Sequence, residues 1–291
     1  MTPRRGPLSA WLLAVRPKTL SAAVVPVLMG SALAAHEPPA ITWWVFACAL
    51  LGAVLIQIAT NLVNDALDFK KGSDTAERLG PVRVTQAGLI SPGAVMTAAW
   101  VCLAGAALCG IPLMVRGGWP MLIIGVASIL AAYAYTGGPY PLAYRGLGEI
   151  FVILFFGFVA VGGTFYAHSL QLTRSALLAG FAAGSLASVL LVINNLRDVD
   201  GDRRSDKRTT VVCFGERFAR FEIAFFALAP FAAVAMIPHR GLLLTLVAVP
   251  LALAVVARVM RSRGAELNAA LGMAGALQWA FGILFVAGSM I

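Results

Sequence analysis

The sequence predicts an all-α integral membrane protein in which nine transmembrane helices surround a central cavity. Hydrophobic residues make up 60% of the 291 residues and charged residues only 12%, about half the charged fraction of an ordinary soluble domain. The mean hydropathy is +0.86. A chain this apolar has too little polar surface to remain in water, and spans of about 20 residues each use up its length. We therefore expect a single membrane domain over residues 1–291.

Nine apolar segments support this architecture, and each is bounded by charged residues, Pro or Gly. Each is long enough to cross about 30 Å of hydrocarbon as a helix. They run over residues 17–35, 41–64, 91–113, 118–136, 148–169, 174–196, 218–237, 241–260 and 268–291.

The distribution of Lys and Arg predicts the orientation. With the N-terminus in the cytoplasm, all but Arg116, Arg174 and Arg240 of the 22 basic residues fall on the cytoplasmic side. This bias follows the positive-inside rule and predicts a multi-pass protein of the cell membrane. The same basic loops account for the net charge of +9, so we expect membrane lipid rather than nucleic acid as a partner.

The aspartates are the most informative polar residues. All seven lie in two stretches, 64–74 and 194–206, which follow the predicted second and sixth spans and face the cytoplasm. Carboxylates are costly near a bilayer, so their concentration at two helix ends indicates a functional site. Parallel helices that carry these two clusters would face each other across the cavity.

Helical spacing brings the polar groups of each cluster onto one stripe. Gln57 and Asn61 continue the first stripe into the membrane. Carboxylate and amide oxygens are suited to Mg²⁺, which can bridge a diphosphate and help it leave. The predicted metal ligands are Asn64, Asp65, Asp68, Asn195, Asp198 and Asp202, and the predicted catalytic residues are Asp65, Asp68, Asp198 and Asp202.

Two other interpretations of the acids remain open. Aspartates beside Lys and Arg can be ordinary solvated charges, which is the interpretation that we favour for Asp74, Asp200 and Asp206. Acids in membrane helices also mark cation-coupled transporters. A transporter, however, predicts acids near mid-membrane, whereas these lie at helix ends.

Basic and aromatic residues near the clusters are candidate substrate-binding groups. Basic residues beside the acids could hold diphosphate oxygens, because Arg offers a planar fork and Lys a point charge. They are Lys70, Lys71, Arg83, Arg197 and Arg203. The loop 133–145 contains four of the five tyrosines, including Tyr135 and Tyr140, and ends at Arg145. These residues are either interfacial anchors or a lid whose rings stabilise a cation or hold an aromatic acceptor.

The motifs resemble those of the membrane-embedded aromatic prenyltransferases of the UbiA type. Asn64-Asp65-x-x-Asp68 and Asp198-x-x-x-Asp202 match the two acidic motifs of that superfamily, which has nine helices. Residues 16–19, 80–88, 135–142 and 194–198 are most similar to the branch that acts on 1,4-dihydroxy-2-naphthoate. Gly72 stands where many members of the superfamily have a third acid, which leaves the role of Asp74 open.

The resemblance implies a chemistry and its partners. The substrates would be a polyprenyl diphosphate and 1,4-dihydroxy-2-naphthoate, with Mg²⁺ as the cofactor. The prenyl group would replace the carboxylate, which leaves as CO₂, and demethylmenaquinol would form for menaquinone synthesis. Arg16 and Lys18 would face the carboxylate of the acceptor. The alternative is the same transfer to another aromatic acceptor, such as 4-hydroxybenzoate.

Overall fold

A computed structural model describes residues 6–36, 41–72 and 79–291 of the chain. Asp74 lies outside these ranges. Within them, all regular secondary structure is helical. The α-helices are α1 (Pro7–Val15), α2 (Ser21–Ala34), α3 (Trp43–Lys70), α4 (Pro92–Gly117), α5 (Trp119–Ala134), α6 (Gly148–Val152), α7 (Gly163–Ser169), α8 (Arg174–Arg197), α9 (Val199–Arg204), α10 (Thr210–Phe214), α11 (Glu216–Ala235), α12 (Val249–Arg261) and α13 (Leu267–Ser289).

The chain is a multi-pass membrane protein, as its composition predicts. In the described residues, seven helices are long and apolar enough to cross a membrane, and α1 with α2 forms an eighth span if this pair, bent by 48°, is counted as one. The apolar helix α5 has only 16 residues. The predicted count of nine spans is therefore not confirmed.

Two spans are continuous helices with an irregular stretch. Residues 148–169 form one span in which α6 and α7 are joined by a π-helix, Ile153–Gly162. A 3₁₀ stretch, Arg240–Ala248, leads directly into α12. Such irregular turns change which side chains face the neighbouring helices, and residue spacing does not predict them.

The helix α8 lies at the centre of the bundle and is the most buried of the spans. Its small residues permit close packing, as is usual between membrane helices. A Cβ atom on Gly157 of the π-helix would lie 2.4 Å from the carbonyl oxygen of Gly180 in α8. This contact fixes the span 148–169 against α8 and so sets the position of the acidic end of α8.

A short helix that was not predicted precedes the first predicted span, 17–35, and the chain breaks between the two. The helix α1 ends at Val15, and Arg16 adopts a left-handed backbone conformation with φ of 54°. A short 3₁₀ turn, Pro17–Thr19, then leads into α2. Because Pro17 cannot donate an N–H group to a continuing helix, the chain changes direction here. The break lies beside α3 and contributes to the candidate site.

Candidate active site

The two acidic helix ends border one polar cavity of about 510 Å³. Asp68 of α3 lies on its wall together with Asp198 and Asp202, which follow α8. Arg83 and Arg197, two of the predicted diphosphate-binding residues, line it as well. The structure therefore brings the two sequence clusters together, as the spacing of the motifs predicts.

Asp68 is held by two groups from other parts of the chain. The guanidinium Nη2 of Arg83 donates to Oδ2 of Asp68 at 3.2 Å. The hydroxyl group of Tyr144 donates to Oδ1 at 3.0 Å. Both Asp68 and Arg83 are largely buried. The carboxylate is thus oriented at the edge of the cavity before any ligand binds.

The carboxylates of the second cluster are also paired with cations. Arg197 donates to both oxygens of Asp198, at 2.9 and 2.6 Å, and to Oδ1 of Asn268 at 2.9 Å. Nζ of Lys207 lies 3.5 Å from Oδ1 of Asp202. Such pairing offsets the cost of placing acids beside a membrane. It also puts several cations around the same cavity.

Asp65 is engaged by the chain itself. Its carboxylate accepts hydrogen bonds from the backbone N–H groups of Val84 and Thr85, at 3.2 and 3.0 Å, and from the Thr85 hydroxyl group. Nη2 of Arg16 lies 3.6 Å away. The side chain is only 1% exposed. This geometry favours an anchor for the 83–88 loop, and the role of Asp65 as a metal ligand stays a prediction.

The other two residues of the predicted polar stripe, Gln57 and Asn61, form hydrogen bonds to the break between α1 and α2. The amide of Asn61 donates to the carbonyl oxygen of Val15 and to the hydroxyl oxygen of Thr19, both at 2.9 Å. The amide of Gln57 also reaches the Thr19 hydroxyl oxygen, at 3.4 Å. The bond to Val15 satisfies a backbone carbonyl group at the end of α1, and the bonds to Thr19 hold the turn beside α3.

The two asparagines of the motifs face neighbouring loops and helices. Oδ1 of Asn64 accepts a hydrogen bond from the Thr136 hydroxyl group. The amide of Asn195 donates to Oε1 of Glu149 at 3.3 Å, and the Thr210 hydroxyl group donates to the same oxygen at 2.9 Å. Their roles as metal ligands also stay predictions.

Four predicted substrate-binding residues are exposed around the site. Lys18 lies in the break after α1, and Lys70 is the last residue of α3. Tyr140 and Arg145 belong to the loop after α5, and the Arg145 guanidinium lies 4.6 Å from the centre of the Tyr140 ring. Their contacts do not place them on the wall of the polar cavity.

Tyr135 lines a second, mostly apolar cavity of about 180 Å³ between α3, α5 and the span 148–169. Along α3 the cavity runs from Cys48 to Thr60, which is about 18 Å at the rise of an α-helix. Burial, with smaller contributions from Glu149, Asp68 and Asp202, raises the pKa of Tyr135 above its usual range. The phenol therefore stays neutral at the boundary between the acids and the apolar cavity.

Of the remaining residues near the polar cavity, Lys71 is a predicted diphosphate contact, whereas Tyr144 and Lys207 belong to no predicted motif. Nζ of Lys71 donates to the carbonyl oxygen of Thr136 at 2.5 Å and lies 4.4 Å from the centre of the Tyr144 ring. Burial lowers the pKa of Lys71, and the nearby Asp68 partly opposes this shift. The concentration of tyrosines in the loop 133–145 is the only sequence signal that points to Tyr144.

In this conformation, no three His, Cys, Asp or Glu side chains of the described residues lie close enough together to surround one metal ion. Asp68, Asp198 and Asp202 are instead directed to Arg83, Arg197 and Lys207. The donor chemistry nevertheless fits Mg²⁺, because these carboxylates offer hard oxygen ligands on one cavity.

A profile of the UbiA prenyltransferase family matches residues 23–281. The chain belongs to the UbiA prenyltransferase family. Membership in this family favours an enzyme over a cation-coupled transporter, and it agrees with two acidic helix ends around one cavity.

Several relatives carry the same printed name, 1,4-dihydroxy-2-naphthoate octaprenyltransferase. The protein of Mycobacterium tuberculosis is 38% identical over 258 residues, which are 87% of this chain and 87% of that protein. The Mycobacterium leprae protein is 36% identical and covers 96% of this chain and 97% of its own length. The Escherichia coli protein is 40% identical over 72% of this chain and 70% of its own length.

Solved structures share the fold. A UbiA homolog from Archaeoglobus fulgidus, bound to GPP and Mg²⁺, aligns with a TM-score of 0.67 over 97% of this chain and all of that chain. Its sequence identity is 17%. A digeranylgeranylglyceryl phosphate synthase aligns with a TM-score of 0.60 at 15% identity. At these identities the likeness supports the helical arrangement alone.

Proposed function

We propose that this member of the UbiA prenyltransferase family transfers a polyprenyl group from its diphosphate to 1,4-dihydroxy-2-naphthoate. CO₂ and diphosphate leave, and demethylmenaquinol forms for menaquinone biosynthesis. The observation that carries the proposal is the junction of both acidic motifs on one polar cavity, with an apolar cavity nearby. The names of relatives that cover most of this chain support the choice of acceptor.

The polar cavity provides groups of both charges for a magnesium diphosphate. Asp68, Asp198 and Asp202 would hold Mg²⁺, which supplies positive charge to the oxygens of the leaving group. Arg83 and Lys207, which now pair with two of these carboxylates, are the cations that we expect to contact the diphosphate oxygens. Stabilising the charge that develops on the leaving oxygen lowers the barrier to breaking the allylic C–O bond.

The transfer to 1,4-dihydroxy-2-naphthoate needs no external base to remove a ring proton. The electron pair of the allylic C–O bond leaves with the diphosphate. The ring carbon that carries the carboxylate forms the new C–C bond to the allylic carbon. The bond from that ring carbon to the carboxylate then breaks, CO₂ leaves, and its bonding electrons restore the aromatic ring. No ring proton is lost at this carbon, so this site needs only cations and orientation.

The apolar cavity suits the polyprenyl tail. Its lining includes Phe151, Phe155 and Phe156 of the span 148–169, and Tyr135 lies at its boundary. Each buried CH₂ group is worth about 0.8 kcal/mol, so a tail of several isoprene units gains much by staying out of water. The basic loops favour an orientation in which the polar cavity faces the cytoplasm, where the soluble acceptor is expected.

The alternative function, transfer to another aromatic acceptor, differs from the proposed one only in the acceptor. Transfer to 4-hydroxybenzoate would form the same kind of C–C bond but would retain the carboxylate and release a ring proton instead. Arg16 pairs with the buried Asp65 beside the break after α1, and together with Lys18 it is our proposed contact for the naphthoate carboxylate.

A purified-enzyme assay tests the proposal. The protein in detergent or nanodiscs is incubated with a polyprenyl diphosphate and either carboxyl-labelled 1,4-dihydroxy-2-naphthoate or 4-hydroxybenzoate. We expect labelled CO₂ and prenylated product only from the naphthoate, and only with Mg²⁺ present. Product from 4-hydroxybenzoate without CO₂ release would replace the proposed acceptor, and turnover that persists in EDTA would remove the metal from the mechanism.

A further inference from the structure

Tyr144 lies between the two acidic motifs and contacts both sides. Its hydroxyl group donates to Asp68 of the first motif at 3.0 Å. Nζ of Lys71, beside the first motif, lies 4.4 Å from the centre of its ring. Nζ of Lys207, which pairs with Asp202 of the second motif, lies 5.8 Å from the same centre. One side chain thus connects α3 with the segment after α9.

The backbone holds Tyr144 in this position. The N–H group of Arg208 donates to the carbonyl oxygen of Tyr144 at 3.3 Å. Gly146 has φ of 69°, and a Cβ atom added there would lie 3.3 Å from the carbonyl oxygen of Arg208. The loop 142–147 and the loop 205–209 therefore approach closely, and the positive φ at Gly146 favours glycine there.

The Tyr144 ring stabilises two lysine ammonium groups that lie near each other. An ammonium group within about 6 Å of an aromatic centroid is attracted by the ring electrons. Lys71 and Lys207 would otherwise repel each other, and each has a carboxylate within electrostatic reach, Asp68 and Asp202. The lowered pKa of Lys71 agrees with a partly desolvated ammonium group near the cavity.

We propose that Tyr144 is a positioning residue that couples the two acidic motifs: its hydroxyl group orients Asp68 for Mg²⁺, and its ring holds Lys71 and Lys207 for the diphosphate. This inference rests on the proposed function, because it assigns a magnesium diphosphate to the polar cavity. It divides the two tasks between two parts of one side chain, and substitutions can separate them.

Binding of inorganic pyrophosphate and Mg²⁺ to the purified full-length protein tests this division without any prenyl substrate. Isothermal titration calorimetry gives the apparent Kd of Mg²⁺ at fixed pyrophosphate and the Kd of pyrophosphate at saturating Mg²⁺. Tyr144→Phe should raise the Kd of Mg²⁺ about tenfold, as is typical when a group that orients a metal ligand is removed. The Kd of pyrophosphate should stay the same, because the ring remains.

Tyr144→Leu removes the ring as well. It should weaken Mg²⁺ to the same extent and also raise the Kd of pyrophosphate about fivefold, since the cation–π contacts are lost. Two matched controls lie outside the site. Tyr166→Phe removes a hydroxyl group that donates to the carbonyl oxygen of Gly117, and Phe214→Leu removes an exposed ring. Both should bind like the wild type.

The results separate the inference from the proposed function. Unchanged or tighter Mg²⁺ binding in Tyr144→Phe would overturn the orienting role, and unchanged pyrophosphate binding in Tyr144→Leu would overturn the role of the ring. If Tyr144→Leu does not fold, Tyr144→Phe, whose ring fills the same space, still decides the first role. A wild-type protein that binds no magnesium pyrophosphate at all would instead contradict the proposed function.

Discussion

Replacing Asp65 by Asn tests whether this carboxylate anchors a loop or holds metal. The side chain is 1% exposed, accepts hydrogen bonds from Val84 and Thr85, and lies 3.6 Å from Arg16. The substitution leaves the Arg16 guanidinium without its charged partner and turns an amide group toward backbone N–H donors. Breaking a buried ion pair on one side costs about 3–5 kcal/mol, so the apparent Tm should fall by roughly 6 °C or more.

The control is Asp68→Asn, a change of the same size one helical turn away. Asp68 borders the cavity and is held by Arg83 and Tyr144, so its substitution also breaks an ion pair and should lower the stability. Unlike Asp65→Asn, it should in addition abolish Mg²⁺-dependent turnover. Unfolding can be followed with a thiol-reactive dye, because Cys48, Cys102 and Cys109 are partly buried free thiols. An Asp65→Asn protein with wild-type Tm and a much weaker dependence on Mg²⁺ would refute the anchor and place Asp65 among the metal ligands.

Three further predictions follow from packing, charge and cavity shape. Gly157→Ala should destabilise the protein by about 1–3 kcal/mol, because its Cβ atom would lie 2.4 Å from a carbonyl oxygen of α8. Gly275→Ala is the control: it has open space around it and should not lower the apparent Tm in the same thermal assay. Burial lowers the pKa of Lys71, so its ammonium group should lose its charge at a lower pH than an ordinary lysine. We therefore expect kcat/KM for the diphosphate to fall at that pH on the alkaline side of its pH profile. Lys71→Arg should move this fall to higher pH, and an unchanged profile would exclude Lys71 as its source. Ala49→Phe should fill part of the apolar cavity and so lower kcat/KM for long polyprenyl diphosphates relative to kcat/KM for geranyl diphosphate. An unchanged ratio of the two kcat/KM values would exclude this cavity as the site of the tail.

The positions of most helices could be predicted because the membrane imposes length and composition together. The predicted segment 174–196 corresponds to α8 within one residue, and 148–169 corresponds to a single span. The helix α1 was not predicted, because Arg16 and Lys18 interrupt the apolar run and the first predicted span begins only at residue 17. The 16-residue length of α5 also escaped prediction, because Tyr135 and Thr136 are compatible with a helix but belong to the following loop.

The candidate site was predicted in its residue types more fully than in its contacts. The sequence indicates that Asp68, Asp198 and Asp202 should meet, and the cavity brings them together. It cannot indicate that Asp65 is bonded by a loop 20 residues away or that Asn195 turns to Glu149. Helical spacing defines which residues share a stripe, whereas the partner of each polar group depends on which loops fold over that stripe.

The charges of the polar cavity explain how an acidic cluster can be stable at a membrane and still bind an anion. Its described lining contains five acidic and six basic side chains, so the site is nearly neutral as a whole. A diphosphate alone would add several negative charges to this nearly balanced site and would compete with Asp68, Asp198 and Asp202 for the same cations. Under the proposed function, binding together with Mg²⁺ would restore the balance, because the carboxylates would then neutralise the metal and leave Arg83 and Lys207 for the phosphate oxygens. The proposed function therefore implies that the ion pairs in the structure are a preassembled set of charges, which would exchange partners when the substrate enters.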